Sequence, residues 1–273
     1  MIKISVIIIS RDGNRDGNVA LLMKDIRAQS ESNIEIVLVK GVSPVGKARN
    51  TGLRKAKGEF IVFLDDDIRL PNHDVIKELL DGIQKYPNDL VGGGHIIPLR
   101  SNRLQRWLAR DIPREQIIPR KDRDEDSDRI ATCCWASKAQ LYSEVGLFNE
   151  DITAGEDTDF RKRVRRTGRR TIMLKGLVVY HPAKESFWVF LNQFFWYGKG
   201  IGELHRSKAS GTVNIFFKTM MPVYILFRMI MFPLQIFLPG AHVMRIKSIL
   251  APPFFRPLYA IGLLSYYIGF ACG

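Results

Sequence analysis

Three apolar, β-branched runs, Ile2–Ile9, Ile34–Val39 and Phe60–Leu64, are separated by two stretches with helical spacing, Val19–Gln29 and Val45–Lys57, the second ended by Gly58. Strand and helix periods that alternate in this way leave few folds open. They require parallel strands joined by crossover helices that cover the faces of one sheet. The expected class is therefore α/β, with a mixed, mainly parallel sheet flanked by helices. In such sheets ligands gather where the strands end.

The third run is the most informative of these ends. It reads Gly58-Glu-Phe-Ile-Val-Phe-Leu-Asp65-Asp66-Asp67, an apolar strand that stops on three consecutive carboxylates. Adjacent carboxylates raise each other's pKa unless a cation or several donors stabilise the charge, and a divalent metal is such a cation. Taken alone, the triplet is read more simply as a solvated turn that caps the helix after Pro71. Other elements bear on that choice. Ser10, Arg11 and Asp12 follow the first strand, and Gly46-Lys47-Ala-Arg49-Asn-Thr-Gly52 opens the second helix. Gly155-Glu156-Asp157-Thr-Asp-Phe160 opens a basic helix whose acids suit its dipole, and a late strand ends in His181-Pro182. Singly, these are a helix start, a terminal charge pair and a strand-end histidine. Together they would converge on one sheet edge.

Charge adds a second theme. The 273-residue chain carries a net charge of +13, but no Asp or Glu occurs after Glu203, and from residue 186 onward eight Lys and Arg face one Glu within a segment rich in Phe, Ile, Leu and Met. Basic and apolar together suit an anionic membrane surface better than nucleic acid, so no specific nucleic-acid partner is expected. The run Thr219–Gly240 would be about 33 Å long as a helix, enough to cross a bilayer core. Yet Arg228 at its centre would cost about 2.5–3.5 kcal/mol on insertion, and Pro222 and Pro233 interrupt it. Pro257–Cys272 is short for a span. Helices lying in the interface are therefore expected, with core helices of a second domain as the alternative.

Residues 100–129 hold nine Arg or Lys, seven Asp or Glu and two prolines, which suggests a short helix and then a mobile loop. Three cysteines make no disulfide framework, and Cys133 and Cys134 read as small core residues in a reduced, cytosolic protein. The N-terminus reads as a first strand and not as a signal peptide.

As an ordered set, Ser5-Val-Ile-Ile, Gly46–Gly52, Gly58–Asp67, Gly146-Leu-Phe-Asn-Glu150, Gly155–Phe160, Arg165-Arg-Thr-Gly168 and Val178–His181 resemble the family 2 glycosyltransferases of the GT-A fold, over about residues 1–205. The resemblance implies a catalytic domain over residues 1–185 and a helical, basic, apolar membrane-associating region over residues 186–273. It implies Mn²⁺ or Mg²⁺ held by Asp67, Asp65 and His181, with Asp65 nearer the nucleotide and Asp66 the most replaceable of the three. Lys47 and Arg49 would lie near the phosphates of a nucleotide diphospho-sugar, and Ser10, Arg11, Asp12, Asp65 and Asp66 would also contact the donor. Attack by an acceptor hydroxyl calls for a carboxylate base. Asp157 fits that role, with Glu156 as the fallback, and one base with one displacement implies inversion.

Two departures from the family pattern stand out. The second strand, Val37-Leu-Val-Lys40-Gly-Val-Ser43, ends without the acid that many relatives use to read the base, so UDP and GDP donors both stay open. Gln193-Phe-Phe-Trp196-Tyr197 lacks the Arg of the signature found in processive synthases, which suggests transfer of a single sugar. The segment Tyr197-Gly-Lys-Gly200 is similar to one in members that act on membrane-bound acceptors. A lipid-linked or glycolipid acceptor at the cytoplasmic face of the cell membrane follows, reached by a peripheral or monotopic protein. Two rivals remain at this level, a nucleotidyltransferase and a catalytically inactive membrane or nucleic-acid binding module. The first is weakened by an Arg11–Gly17 loop poor in glycine.

Overall fold

The computed structural model describes residues 3–98, 100–111, 116–130, 132–208, 265–270 and 272. The chain divides into two compact units, the first made of residues 1–101, 114–150 and 156–183, the second of residues 102–113, 151–155 and 184–273.

In the first unit the apolar runs form the strands that their composition demands. β1 (Ile4–Ser10) lies between β2 (Ile34–Lys40) and β3 (Phe60–Asp65), parallel to both. Helices α1 (Asn18–Arg27) and α2 (Val45–Lys55) are the crossovers, and α3 (Val75–Lys85) follows the aspartate triplet. The sheet continues through β4 (Leu90–Ile96), β5 (Glu125–Asp126), β6 (Cys134–Lys138) and β7 (Thr171–Tyr180) in the spatial order β2-β1-β3-β6-β4-β7-β5. β6 runs antiparallel between β3 and β4, and β5 runs antiparallel along the edge of β7. Short helix α5 (Gln140–Val145) and basic helix α6 (Glu156–Arg166) complete the unit.

The alternating side chains of the strands feed two cores. On one face Ile4, Val6, Ile8, Val62 and Leu64 pack with Leu22 and Ile26 of α1 and Leu79, Leu80 and Ile83 of α3. On the other, Ile7, Ile61, Phe63 and Trp135 meet Phe148, Phe160 and Val164. Cys133 and Cys134 are free thiols in the first of these cores. Burial pushes the Cys134 thiol up to about 12, so it stays a neutral, apolar filler.

β4 is the strand that composition hides, because its centre is Gly92-Gly93-Gly94. Each glycine answers a close approach. A Cβ at Gly92 would lie 2.8 Å from the Cys134 carbonyl, one at Gly93 2.8 Å from that of Leu177, and one at Gly94 would run into the Ile117 carbonyl. Gly94→Ala is therefore expected to destabilise the fold by about 1–3 kcal/mol through overpacking against backbone, seen as a lower thermal midpoint.

The Gly94 contact belongs to a segment that is firmly held, contrary to the mobile loop that its charge suggests. His95 and Ile117 exchange backbone hydrogen bonds at 2.9 Å in both directions. Asp124 accepts from Lys85 Nζ at 2.7 Å, Tyr86 Oη at 3.0 Å and the Lys175 amide at 2.9 Å. The charges that looked like a solvated excess are thus used to fix residues 116–130 along β7.

The basic charge of α6 and of the residues that follow it is paired in part within the unit. Arg163 pairs with Asp159, Arg165 with Asp126, Arg169 with Glu144 and Arg170 with Asp89.

In the second unit, α4 (Arg103–Asp111) begins with a reciprocal capping box: the Gln105 amide donates to Asn102 Oδ1 at 2.8 Å and the Asn102 amide donates to Gln105 Oε1 at 2.9 Å. α7 (Phe187–Lys208) starts at Ser186, whose Oγ accepts the Val189 amide. The Tyr197–Gly200 segment has a packing role here. A side chain on Gly198 would strike the backbone of Tyr266, and one on Gly200 the backbone of Ala154. Glu203, the last acid of the chain, accepts from the Thr153 amide and hydroxyl. Residues 265–270 are helical. Thr219–Gly240 and most of Pro257–Cys272 lie outside the described residues, and among those described no helix is long and apolar enough to cross a membrane.

Candidate active site

β1, β3, β4 and β7 point the same way, so Ser10, Asp65, Ile96 and Tyr180 all mark one edge of the sheet. The aspartate triplet leaves β3 at that edge and is fastened to the end of β7: the Arg69 amide donates to the Tyr180 carbonyl at 2.9 Å and the Tyr180 amide returns the bond to Arg69 at 3.0 Å. His181 follows directly, its amide bonded to Ile96 at 2.9 Å. Two loops more than a hundred residues apart in sequence are thereby locked face to face. As a result Asp65, Asp67 and His181 bring potential ligand atoms within 4.8 Å of one another. His181 Nε2 lies 3.3 Å from Asp67 Oδ1. Two carboxylates and one imidazole are a donor set that suits Mn²⁺ or Mg²⁺.

The electrostatics agree with a cation at this point. Burial raises the Asp65 carboxyl to about 6, reinforced by the Asp67 and Asp66 charges and opposed by Arg49 and His181. Burial also raises Asp66. Carboxylates held above their ordinary range are under-neutralised and gain from a positive ion.

Arg49 comes from the buried face of α2, beside Ala48 and Asn50. Its guanidinium pairs with the buried Glu156 carboxylate, lies 3.8 Å from Asp65 Oδ1, and rests 5.4 Å over the Phe148 ring. It links the acid of α6 to the first aspartate of the triplet. Lys47, two residues earlier and on nearly the opposite side of α2, is exposed. Asn50 is structural: it donates to the Phe148 carbonyl and the Glu150 carboxylate and accepts from the Phe148 amide at 2.9 Å, which ties α2 to the Gly146–Glu150 segment.

The two acids that open α6 differ in access. The Glu156 side chain is 7 % exposed and committed to Arg49, whereas that of Asp157 is 27 % exposed. Asp157 Oδ2 accepts from Thr132 Oγ1 at 2.8 Å and from Arg161 Nη1 at 3.0 Å. Burial works against its charge, but the Arg161 and Arg49 guanidinium groups and the Thr132 hydroxyl prevail and hold the carboxyl at about 2. Arg161 stands four residues after Asp157, so this partner was readable from helix spacing. Thr132, from a loop, was not.

The loop between β1 and α1 is built around Asp12, whose Oδ1 accepts the Asn14 and Arg15 amides at 2.8 and 2.9 Å. These bonds lower its pKa. Ser10 Oγ accepts the Gly13 amide at 3.1 Å, and Arg11 is exposed. Asn18 Nδ2 donates to the Asp66 and Ile68 carbonyls and joins this loop to the triplet. The loop also delivers Arg15, a residue no sequence pattern singled out, to within 2.9 Å of Asp67 Oδ2.

The fold is that of the GT-A nucleotide-sugar transferase class. Residues 5–143 match the family model described as glycosyl transferase family 2, and the chain belongs to that family. Among curated relatives it is 24 % identical over 191 residues to EpsJ of Bacillus subtilis, a glycosyltransferase described as uncharacterized, covering 66 % of this chain and 53 % of EpsJ. It is 24 % identical over 200 residues to the glycosyltransferase AglE of Haloferax volcanii, covering 71 % and 62 % respectively. The matches thus span little more than half the length of these relatives. The mannosyltransferase PcManGT from Pyrobaculum calidifontis, solved with GDP-Man and Mn²⁺, shares the fold with a TM-score of 0.52 at 16 % identity over 98 % of this chain and 72 % of that one. Residues 1–349 of S. aureus TarS do so with a TM-score of 0.53 at 16 % identity, over 97 % and 89 %.

Proposed function

We propose that the protein is a metal-dependent, inverting glycosyltransferase that moves one sugar from a UDP- or GDP-sugar to a hydroxyl or phosphate of a lipid-linked acceptor. The observation that carries this reading is the convergence of Asp65, Asp67 and His181 within 4.8 Å at the sheet edge, next to the Arg49–Glu156 pair that leads to Asp157. Asp65, Asp67 and His181 would hold Mn²⁺ or Mg²⁺, which when bound supplies Lewis-acid stabilisation to the leaving diphosphate. Asp157 receives the proton of the acceptor hydroxyl. Thr132 and Arg161 aim its carboxylate and keep it ionised. Arg49 fixes Glu156 and Asp65 relative to each other. Asp12 shapes the donor loop, while Ser10, Arg11, Lys47 and Asp66 border the donor. PcManGT, solved with GDP-Man and Mn²⁺, supports a sugar nucleotide and a divalent ion as the ligands to try first.

Thermal-shift measurements with UDP and GDP, each with and without Mn²⁺, test the reading, since a ligand of the folded state raises the midpoint. One nucleotide is expected to stabilise the protein only when Mn²⁺ is present. No stabilisation by either would refute the assignment, and release of pyrophosphate instead of a nucleoside diphosphate would move it to the nucleotidyltransferases.

A pH dependence follows from Asp65. Its carboxyl is raised to about 6, so a proton competes with the metal below that pH and not above it. Mn²⁺ affinity is expected to fall by about tenfold per pH unit below 6 and to level off above 7. Calorimetric titrations between pH 5 and 8 measure this directly.

Membrane association rests on the second unit. Trp188, Val189, Trp196 and Tyr197 of α7 are exposed, Trp188 to 77 %, and Lys199 sits 5.0 Å over the Trp196 ring. Aromatic and basic side chains of this kind suit a headgroup layer, and the acid-free sequence after Glu203 adds attraction to anionic lipid. The full chain is expected to sediment with phosphatidylglycerol vesicles at low salt and to remain in solution with phosphatidylcholine vesicles. Equal partition with both would exclude an anionic surface as the docking site.

A further inference from the structure

We propose that Arg15 is a donor-binding residue that acts first as a tethered counter-ion: its guanidinium neutralises Asp66 and Asp67 until a divalent cation takes their charge, and is then turned onto the diphosphate of the donor. This rests on the glycosyltransferase reading above. Arg15 Nη2 lies 2.9 Å from Asp67 Oδ2, and its Nε lies 3.8 Å from Asp66 Oδ1. His181 faces the other oxygen of Asp67. A cation that engages Asp67 together with Asp65 and His181 therefore meets Arg15 as a competitor, both for an oxygen and through its positive charge.

The loop looks constructed for this delivery. Arg15 and Asp16 have φ of +47° and +54°, and Gly17 has φ of +84°, three successive residues in the left-handed region. Non-glycine residues keep that conformation only where their surroundings impose it. Here Asp12 holds the Asn14 and Arg15 amides, and Asn18 binds the carbonyls of Asp66 and Ile68 on the triplet itself. The base of the arginine is thus fixed to the very segment that its head group touches.

Its head group is not enclosed. The Arg15 side chain is 47 % exposed, against 12 % for each of Asp66 and Asp67. A guanidinium has five N–H donors in a planar fork, and its hydrogen bond to Asp67 Oδ2, on a side chain that is 47 % exposed, leaves donors for a ligand. Once the acids are neutralised by a metal, the same fork is free to take phosphate oxygens, a geometry for which arginine is better suited than lysine.

The two roles give opposite signs in one variant. Full-length wild type and Arg15→Gln are titrated with Mn²⁺ alone, then with UDP and GDP at saturating Mn²⁺, by calorimetry. The variant is expected to bind Mn²⁺ about threefold more tightly, as loss of a half-exposed ion pair and one positive charge implies. It is expected to bind the preferred nucleoside diphosphate about tenfold more weakly, as loss of a charge-assisted hydrogen bond implies. Arg15→Lys, which keeps the charge but not the fork, should lie between them on both measures and serves if the glutamine variant folds poorly. Unchanged or weaker Mn²⁺ binding in Arg15→Gln, or unchanged diphosphate binding, overturns the proposal while leaving the wild-type reading intact. Failure of the wild type to bind either probe overturns both.

Discussion

Asp157→Asn is expected to lower turnover by about 10²–10⁴-fold, the range that a positioned general base contributes, while Mn²⁺-dependent nucleotide binding stays within a factor of two or so of wild type. The assignment rests on access. Of the two acids that open α6, Glu156 is buried against Arg49 and only Asp157 presents a partly open carboxylate. Asparagine keeps the shape and can still meet the Thr132 hydroxyl, so the fold should survive. With its carboxyl held at about 2 by Arg161, Arg49 and Thr132 despite burial, Asp157 remains ionised throughout the working range. It should therefore add no acid limb above about pH 4 to the rate profile. For stability the sign is that of a depressed acid. Asp157 favours the folded state above its ordinary value of 3.8, and that contribution is lost as pH falls through that value toward 2. Asparagine should forfeit it at neutral pH. Turnover within tenfold of wild type in a folded variant would remove Asp157 from the role.

The second large effect is expected at Arg49. Arg49→Met leaves the Glu156 carboxylate buried without its cation, and breaking a buried pair from one side costs about 3–5 kcal/mol. For a chain of this size that corresponds to a thermal midpoint lower by roughly 10 °C. Turnover should fall as well, because Asp65 and Glu156 lose the group that fixes their spacing. A paired change separates the two consequences. Arg49→Met with Glu156→Leu removes both charges, and such replacements are often neutral or stabilising, so the midpoint should recover while turnover does not. If both recover, Arg49 serves the fold alone. The sequence placed Arg49 beside the donor phosphates, and the structure shows its guanidinium buried, paired with Glu156 and 3.8 Å from Asp65 Oδ1. Its pairing with Glu156 was not legible, because the packing of α2 against α6 joins segments 107 positions apart.

The same physical limit separates what was legible from what was not. β1, β2 and β3 announce themselves because buried parallel strands are continuous apolar runs; strand ends put the aspartate triplet and His181 on one edge, and the family resemblance implied Asp65, Asp67 and His181 as a ligand set before their distances were known. β4 was silent because its packing needs three residues without side chains. The antiparallel insertion of β6 was silent because strand direction is set by connection length and neighbours, not by composition. The segment from residue 116 to 130 looked loose because charge was counted without partners. Asp124 alone accepts three hydrogen bonds there. Arg15 was invisible for a related reason, since its contact depends on two left-handed residues that no spacing rule forecasts.

One consequence of β5 concerns neighbours in solution. A sheet that ends on a long apolar strand offers its unpaired amides and carbonyls to any chain that can pair with them. Here the last strand beyond β7 is two residues long, and both, Glu125 and Asp126, are exposed and acidic. It is too short to guide another strand into register and too charged to accept one cheaply. The pinned segment therefore makes this edge of the sheet a poor template for pairing with another chain.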